Sequence, residues 1–270
     1  MSPIEAALLG LLQGLTEFLP VSSSGHLVLG QALLGLELPG VGFEVSLHVA
    51  TLFAVLWVYR RRVASLTLGL FRAEREAVIY VGLLALASLP AAAVGILARP
   101  LFEDAFERPA LVAALLLVSG AFAWSIGRSA REERAGQARR DRPGPVGAIA
   151  VGVAQAFAIL PGISRSGSTV AVGSRTGVEV VRMAEFSFLL SVPAVGGAAL
   201  LQATDPAGAA GGIGWLPLAV GFAVALVTGV LAIRLFLRAL SGGHFGWFAY
   251  YCWLLGGGYL VAAAALPGLR

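Results

Sequence analysis

Charged residues are scarce in this chain of 270 residues, where they make up 13% of the sequence. An ordinary soluble domain carries about 25% charged residues, so this chain has too little charge to cover a water-facing surface. Hydrophobic residues reach 58%, and the mean hydropathy is +0.85. The shortage of charge excludes an ordinary soluble domain and predicts an integral membrane protein.

Lysine is absent and cysteine nearly so. All 19 basic residues are arginine, and Cys252 is the single cysteine, which excludes an internal disulfide. The pI near 9.8 is also typical of nucleic-acid binding proteins. The arginines, however, lie in short segments between apolar stretches, where orientation in a membrane requires them. We therefore expect membrane lipid, and no nucleic acid, among the partners.

Six apolar stretches are each long enough to span a bilayer, which takes about 20 residues. They cover residues 42–59, 77–98, 109–127, 184–203, 214–235 and 246–266. Arginines follow the first, third and fifth stretches, in segments 60–75, 128–142 and 234–238. The positive-inside rule makes these three segments cytoplasmic. Both termini and the loops 99–108 and 204–213 are then expected on the outer side.

Two further apolar segments, 4–30 and 146–175, are interrupted by proline, glycine and serine before the apolar sequence resumes. This pattern is typical of a helix, a break and a second helix. Irregular backbone at membrane depth is tolerated only where it is buried in protein or lines a cavity. We predict two re-entrant hairpins, the first rooted on the outer side and the second on the cytoplasmic side.

The two interrupted segments are also copies of each other. Four residues recur at an offset of 142 (167 − 25): Gly10, Gln13, Gly25 and Gly35 at Gly152, Gln155, Gly167 and Gly177. Such a register marks an internal repeat. Residues 1–127 form the first repeat, 128–145 a cytoplasmic arginine-rich loop, and 146–270 the second repeat. Because each repeat holds three spans, an odd number, the second inserts upside down.

The predicted fold class is therefore an all-α membrane protein with six transmembrane helices, two re-entrant helical hairpins and an inverted-topology internal repeat. All of it forms one integral membrane domain. An inverted repeat brings its broken helices together near the middle of the membrane. The residues of the two breaks are therefore the first place to look for function.

The second break places Arg165 at membrane depth, where a charge costs about 2.5–3.5 kcal/mol on insertion scales. Its planar fork of donors matches two phosphate oxygens. A restarting helix adds backbone N–H groups for an anion. The surrounding hydroxyls are those of Ser164, Ser166, Ser168 and Thr169. The pattern predicts a phosphate site; a serine helix cap beside an arginine that reaches the interface is the alternative.

The first break supplies candidate catalytic groups. Ser22, Ser23 and Ser24 are candidate nucleophiles, and His26 is a candidate acid or base because imidazole titrates near neutral pH. Glu17 either orients His26 or holds a divalent cation against a phosphate. A structural ion pair between Glu17 and the arginine of the second break is the alternative.

Polar residues at helical spacing accompany this break. Gln13 lies one turn before Glu17 on the same helix face. Glu44 and His48 repeat that spacing on the first span. They either line the cavity or serve in capping and packing, and the sequence leaves both interpretations open.

At these residues the sequence resembles the undecaprenyl pyrophosphate phosphatase family of the bacitracin-resistance type, over nearly the whole chain. The family's first motif, Glu or Gln followed after three residues by Glu, matches Gln13 and Glu17, and Pro20-Val-Ser-Ser-Ser-Gly-His26 continues the match. The second motif, Pro-Gly-x-Ser-Arg-Ser-x-x-Thr, matches Pro161 through Thr169. Both motifs are long and specific.

The resemblance implies that Glu17, His26 and Arg165 are essential and that Ser23 is the nucleophile. It also implies phosphate contacts from Ser164, Ser166 and Thr169, to which we add Ser22 and Ser24. The implied cofactor is Mg²⁺ or Ca²⁺. Glu17 is a candidate metal ligand and Gln13 a weaker one, since it is neutral where other members carry Glu. His48 stands where several members have Gln.

The activity implied by the resemblance is hydrolysis of undecaprenyl pyrophosphate to undecaprenyl phosphate. This reaction recycles a lipid carrier for cell-wall synthesis in a bacterial inner membrane, with the site open to the outer face. A homodimer is left open. The rival function is a transporter of the lipid phosphate, because inverted repeats with broken helices are typical of transporters. The serine triplet favours an enzyme, since a carrier needs an anion site but no nucleophile.

Overall fold

The computed structural model describes residues 1–34, 42–98, 104–137, 139–203 and 213–265, with side chains described except at 31–34 and 201–203. Gly35 of the predicted repeat, loop residues 99–103 and 204–212, and the C-terminal residues 266–270 lie outside this part. The helices are α1 (Pro3–Phe18), α2 (Ser23–Leu34), α3 (Gly42–Val58), α4 (Arg60–Phe71), α5 (Arg75–Leu97), α6 (Pro109–Arg134), α7 (Pro145–Phe157), α8 (Arg165–Arg175), α9 (Val180–Ala203), α10 (Trp215–Gly242) and α11 (Trp247–Ala265).

Five of the described helices, α5, α6, α9, α10 and α11, are long and apolar enough to cross a membrane. Helices α3 and α4 form an apolar pair bent by 78° and bring the number of spans to six if they count as one. Large apolar side chains such as Leu89, Val227 and Leu254 point outward, as contact with lipid requires. The protein is a multi-pass, all-α membrane protein, as the sequence predicts.

The helices extend past several predicted span ends. Helix α6 continues to Arg134 and α10 to Gly242, although the apolar stretches end near residues 127 and 235. Arginine, glutamate, alanine and leucine all favour helix, so the backbone continues where the apolar sequence stops. The first part of the predicted arginine-rich loop 128–145, residues 128–134, is therefore helix.

Both interrupted segments form two helices joined by a break, α1 to α2 and α7 to α8. In the first break Ser22 adopts a positive φ of 67°, and in the second Gly162 has φ 96°. The Ser22 Oγ accepts hydrogen bonds from the backbone N–H groups of Gly25, at 3.3 Å, and Gly162, at 3.1 Å. One side chain thus caps α2 and ties the first break to the second.

The second break has a matching arrangement. Ser164 caps α8 by accepting a hydrogen bond from the Gly167 N–H at 3.1 Å. The Ser164 Oγ and the Ser166 Oγ both donate to the carbonyl oxygen of Leu19 in the first break, at 3.4 and 3.1 Å. The two breaks are therefore bonded to each other in both directions.

Close helix contacts hold the broken helices in place. Helix α1 packs on α10, and α7 packs on α5. A Cβ atom added to Gly10 would lie 2.4 Å from the Gly221 carbonyl oxygen, and one added to Gly152 would lie 2.5 Å from the Ala87 carbonyl oxygen. Only glycine permits these approaches, as in other tightly packed membrane helices.

Candidate active site

Glu17, in the last turn of α1, is the centre of a buried polar cluster. Its Oε1 accepts a hydrogen bond from the Arg165 Nη2 at 2.7 Å. Its Oε2 accepts from the Ser23 Oγ at 2.7 Å and from the Gln13 Nε2 at 3.0 Å. One carboxylate therefore joins the serine motif of the first break to the arginine of the second.

Arg165 begins α8, and its side chain is 15% exposed. Besides the pair with Glu17, its Nη1 donates to the Ser187 carbonyl oxygen at 3.1 Å. The ion pair that the sequence left open is thus present. A guanidinium has five N–H groups, so a phosphate held by both Nη atoms either uses their remaining N–H groups or replaces one of these two acceptors.

The predicted hydroxyls fall into two groups. Only Ser23 and Ser24 are partly exposed, whereas the other five are buried: Ser22, Ser164, Ser166, Ser168 and Thr169. The buried hydroxyls bond largely to backbone; the Ser168 Oγ donates to the Ala154 carbonyl oxygen at 3.2 Å and the Thr169 Oγ1 to that of Arg165 at 2.7 Å. These hydroxyls fix the shape of the breaks, and Ser23 and Ser24 are the more accessible ones.

His26 is placed differently from the sequence-based interpretation in which Glu17 orients it. Its Nδ1 lies 2.8 Å from the Ser22 carbonyl oxygen, and its Nε2 lies 2.7 Å from the Tyr251 hydroxyl. The Glu17 carboxylate bonds to α1, α2 and α8 instead. The His26 ring reaches towards Tyr251 of α11 instead, so the cation-binding alternative for Glu17 is the one that this arrangement leaves.

His48, whose role the sequence left open, lies beside Glu17. The Gln13 Nε2 is 2.9 Å from the His48 Nδ1, and the Glu17 Oε2 is 3.5 Å from the same nitrogen. A Gln13 amide that donates to both groups makes the His48 Nδ1 an acceptor. The Gln13 Oε1 is buried and has no hydrogen-bond partner in the described part of the chain.

Three further residues of the site were not among the predicted ones. The Ser119 Oγ donates to the Gly162 carbonyl oxygen and accepts from the Ser164 N–H, both at 2.7 Å. Ser187 lies 2.6 Å from the Thr169 hydroxyl. Tyr251 and Ser119 lie within apolar spans that carry no local signal.

Comparisons with known proteins find similar sequences over nearly the whole chain. The family model with the description "Bacitracin resistance protein BacA" matches residues 6–258. A protein named undecaprenyl-diphosphatase from Syntrophotalea carbinolica is 41% identical over 270 residues, covering 98% of this chain and 100% of the relative. Proteins of the same name from Rubrobacter xylanophilus (41%, covering 97% of this chain and 98% of the relative) and Desulforapulum autotrophicum (35%, covering 95% and 96%) are also similar.

Proposed function

This chain belongs to the bacitracin resistance protein BacA family, and on that premise we propose that it hydrolyses undecaprenyl pyrophosphate to undecaprenyl phosphate and inorganic phosphate. The observation that carries the proposal is the Glu17 carboxylate, which bonds to Ser23 and Arg165 from the two breaks at once. A nucleophile, a base and a cation are thereby brought together in one hydrogen-bonded cluster. The relatives are named as phosphatases, and the transporter alternative has no such support.

In the proposed reaction, the Ser23 Oγ attacks the terminal phosphorus as its proton passes to the Glu17 Oε2. The bond from that phosphorus to the bridging oxygen breaks, and its electron pair leaves with the lipid phosphate. Water then releases phosphate from Ser23. Arg165 stabilises the charge on the phosphoryl oxygens, and His26 serves as acid or base for the leaving group or the water.

The hydroxyls of the breaks and the N-terminus of α8 complete the proposed phosphate site. Ser24 is partly exposed beside Ser23 and contacts the phosphate directly. The buried hydroxyls of Ser22, Ser164, Ser166 and Thr169 bond to backbone and to each other. They reach the phosphate only by exchanging one of those bonds.

A divalent cation, Mg²⁺ or Ca²⁺, fits this site as a partner shared with the substrate. Glu17 provides a carboxylate, and the unpartnered Gln13 Oε1 provides a neutral oxygen of the kind such cations accept. The described residues contain no group of three acidic, histidine or cysteine side chains that could hold a metal, so phosphate and water oxygens would supply the remaining ligands. When bound, the cation would neutralise charge on the pyrophosphate.

Metal removal is expected to abolish activity. A pyrophosphate carries several negative charges, and Arg165 is the only arginine in this cluster as the structure describes it. Phosphate release should therefore stop in excess chelator and return when Mg²⁺ or Ca²⁺ is added. In Glu17→Gln, adding Mg²⁺ or Ca²⁺ should restore less phosphate release than it does in the wild type. Full activity in excess chelator would show that no cation is needed.

Segments 4–30 and 146–175 are the re-entrant hairpins of this proposal. Support comes from paired contacts, because α1 packs on α10 as α7 packs on α5, and Ser22 and Ser164 cap α2 and α8 alike. These pairs are those expected of an inverted repeat. In the proposed division, the repeats are residues 1–127 and 146–270, joined by the arginine-rich segment 128–145.

We propose that the site opens to the outer face of a bacterial inner membrane, because the positive-inside rule makes the arginine-rich segments cytoplasmic. Single cysteines at Asp104 and Gln137, both exposed, test this in a Cys252→Ser background. An impermeant thiol reagent added to intact cells should label position 104 and spare position 137. The reverse pattern would invert the orientation, and labelling at both would contradict the re-entrant hairpins.

The proposed activity is tested by phosphate release from undecaprenyl pyrophosphate, with purified protein in detergent. We expect multiple turnovers that yield equal amounts of phosphate and lipid monophosphate. Glu17→Ala serves as the inactive comparison, since it removes the group that joins both breaks. An active preparation of a related phosphatase controls for substrate quality. If that control turns over and this protein releases no phosphate, the proposed function is wrong.

A further inference from the structure

Both ring nitrogens of His26 lie within hydrogen-bonding distance of another group. The Nδ1 faces the Ser22 carbonyl oxygen at 2.8 Å, and since a carbonyl only accepts, this nitrogen carries a hydrogen. The proton that His26 gains and loses is therefore the one on Nε2. That nitrogen lies 2.7 Å from the hydroxyl of Tyr251, a residue of α11 that is distant in sequence.

Helix α11 holds Tyr251 in this position through its next two residues. The Cys252 thiol is buried 3.6 Å from the Pro20 carbonyl oxygen in the first break. The Trp253 Nε1 donates to the Leu117 carbonyl oxygen of α6 at 3.0 Å. These contacts fix the register of α11 against the break and against α6. The Tyr251 ring lies nearly parallel to the His26 ring, at 10° and a centroid distance of 5.6 Å.

A phenol hydroxyl matches both protonation states of Nε2. It donates to the lone pair of neutral imidazole and accepts from the N–H of imidazolium. The hydrogen bond therefore forms in both protonation states, and the hydroxyl leaves Nε2 only while that nitrogen exchanges its proton with water or the leaving group. We infer that Tyr251 is a positioning residue for His26, and that its hydroxyl holds Nε2 in place before and after each proton transfer. This inference rests on the proposed function.

A Tyr251→Phe variant isolates the hydroxyl, and Tyr250→Phe is the matched control. Tyr250 is the neighbouring tyrosine, and its ring contacts Trp124, Trp247 and Trp253, which phenylalanine retains. Tyr251→Phe should lower kcat at least about tenfold with KM within about twofold, since positioned proton transfer contributes factors of this size or more. Tyr250→Phe should leave both constants near wild type. An unchanged kcat in Tyr251→Phe overturns the inference, as does an equal loss in both variants.

A second measurement does not depend on turnover. Diethyl pyrocarbonate acylates unprotonated imidazole nitrogen, and its rate at His26 can be followed by mass spectrometry of the purified protein. Removing the Tyr251 hydroxyl uncovers Nε2, so the His26 rate should rise at least about threefold in Tyr251→Phe but not in Tyr250→Phe. An equal rate in both variants overturns the inference. If the wild-type protein releases no phosphate and this rate still rises, the proposed function fails while the contact stands.

Discussion

Replacing Arg165 with lysine should lower turnover at least about tenfold while the protein still folds. The guanidinium uses one nitrogen for Glu17 and another for the Ser187 carbonyl oxygen. A phosphate can take over one of these bonds while the other keeps the side chain in place. Lysine has a single nitrogen and no planar fork, so it keeps the charge but cannot hold α1, α9 and a phosphate in one geometry.

The matched control is Arg175→Lys, at the other end of α8. Arg175 donates to the Ser125 hydroxyl at 3.1 Å on an exposed face, away from Glu17. This control should release phosphate at nearly the wild-type rate. Its elution volume in gel filtration in detergent and its thermal unfolding midpoint should also be close to those of the wild type. If Arg165→Lys also keeps near-normal turnover, the bidentate phosphate role is wrong.

The fold was largely predictable because a bilayer imposes a simple rule on the sequence. Long apolar stretches and arginine-rich ends locate the spans within a few residues, and proline and glycine mark where α1 and α7 stop. The helix ends were less accurate, since residues 128–134 keep the α6 backbone helical outside the apolar region. Apolarity predicts where lipid is, and helix propensity decides where the helix ends.

The residues of the two breaks were predictable because a buried charge is costly unless it is paired or functional. That argument singled out Glu17 and Arg165, and the structure brings them to 2.7 Å. The cost of a buried charge does not predict which residues His26 contacts. His26 is a few residues from Glu17 in sequence, yet its Nε2 partner is Tyr251, which only the packing of α11 brings near.

Hydroxyl groups show the limit of local reasoning most clearly. Seven neighbouring Ser and Thr side chains looked alike in the sequence, but five are buried. Ser22 and Ser164 each cap the helix that follows them, and each also bonds to the other break. A serine that caps a helix and one that attacks phosphorus have the same sequence signature. Only burial and bonding partners separate them, and they leave Ser23 in contact with Glu17.

Ser23→Ala is expected to reduce turnover below detection. The Ser23 Oγ donates to the Glu17 Oε2 at 2.7 Å and is partly exposed, so it is placed both to lose a proton and to reach substrate. Ser88→Ala is the control, because the Ser88 Oγ donates to the Leu84 carbonyl oxygen within its own helix. That variant should keep wild-type turnover, measured as phosphate release.

Three outcomes of the Ser23→Ala experiment identify the attacking group. Loss of all hydrolysis, with a phosphorylated Ser23 trapped by rapid quench of the wild-type enzyme, supports attack by Ser23. Slow hydrolysis by the variant, with phosphate trapped on His26, would assign attack to His26 and contradict the serine mechanism. If no covalent species forms in either protein, water attacks directly. Glu17, which loses one of its hydrogen-bond donors when Ser23 is removed, is then the group placed to take the proton of that water.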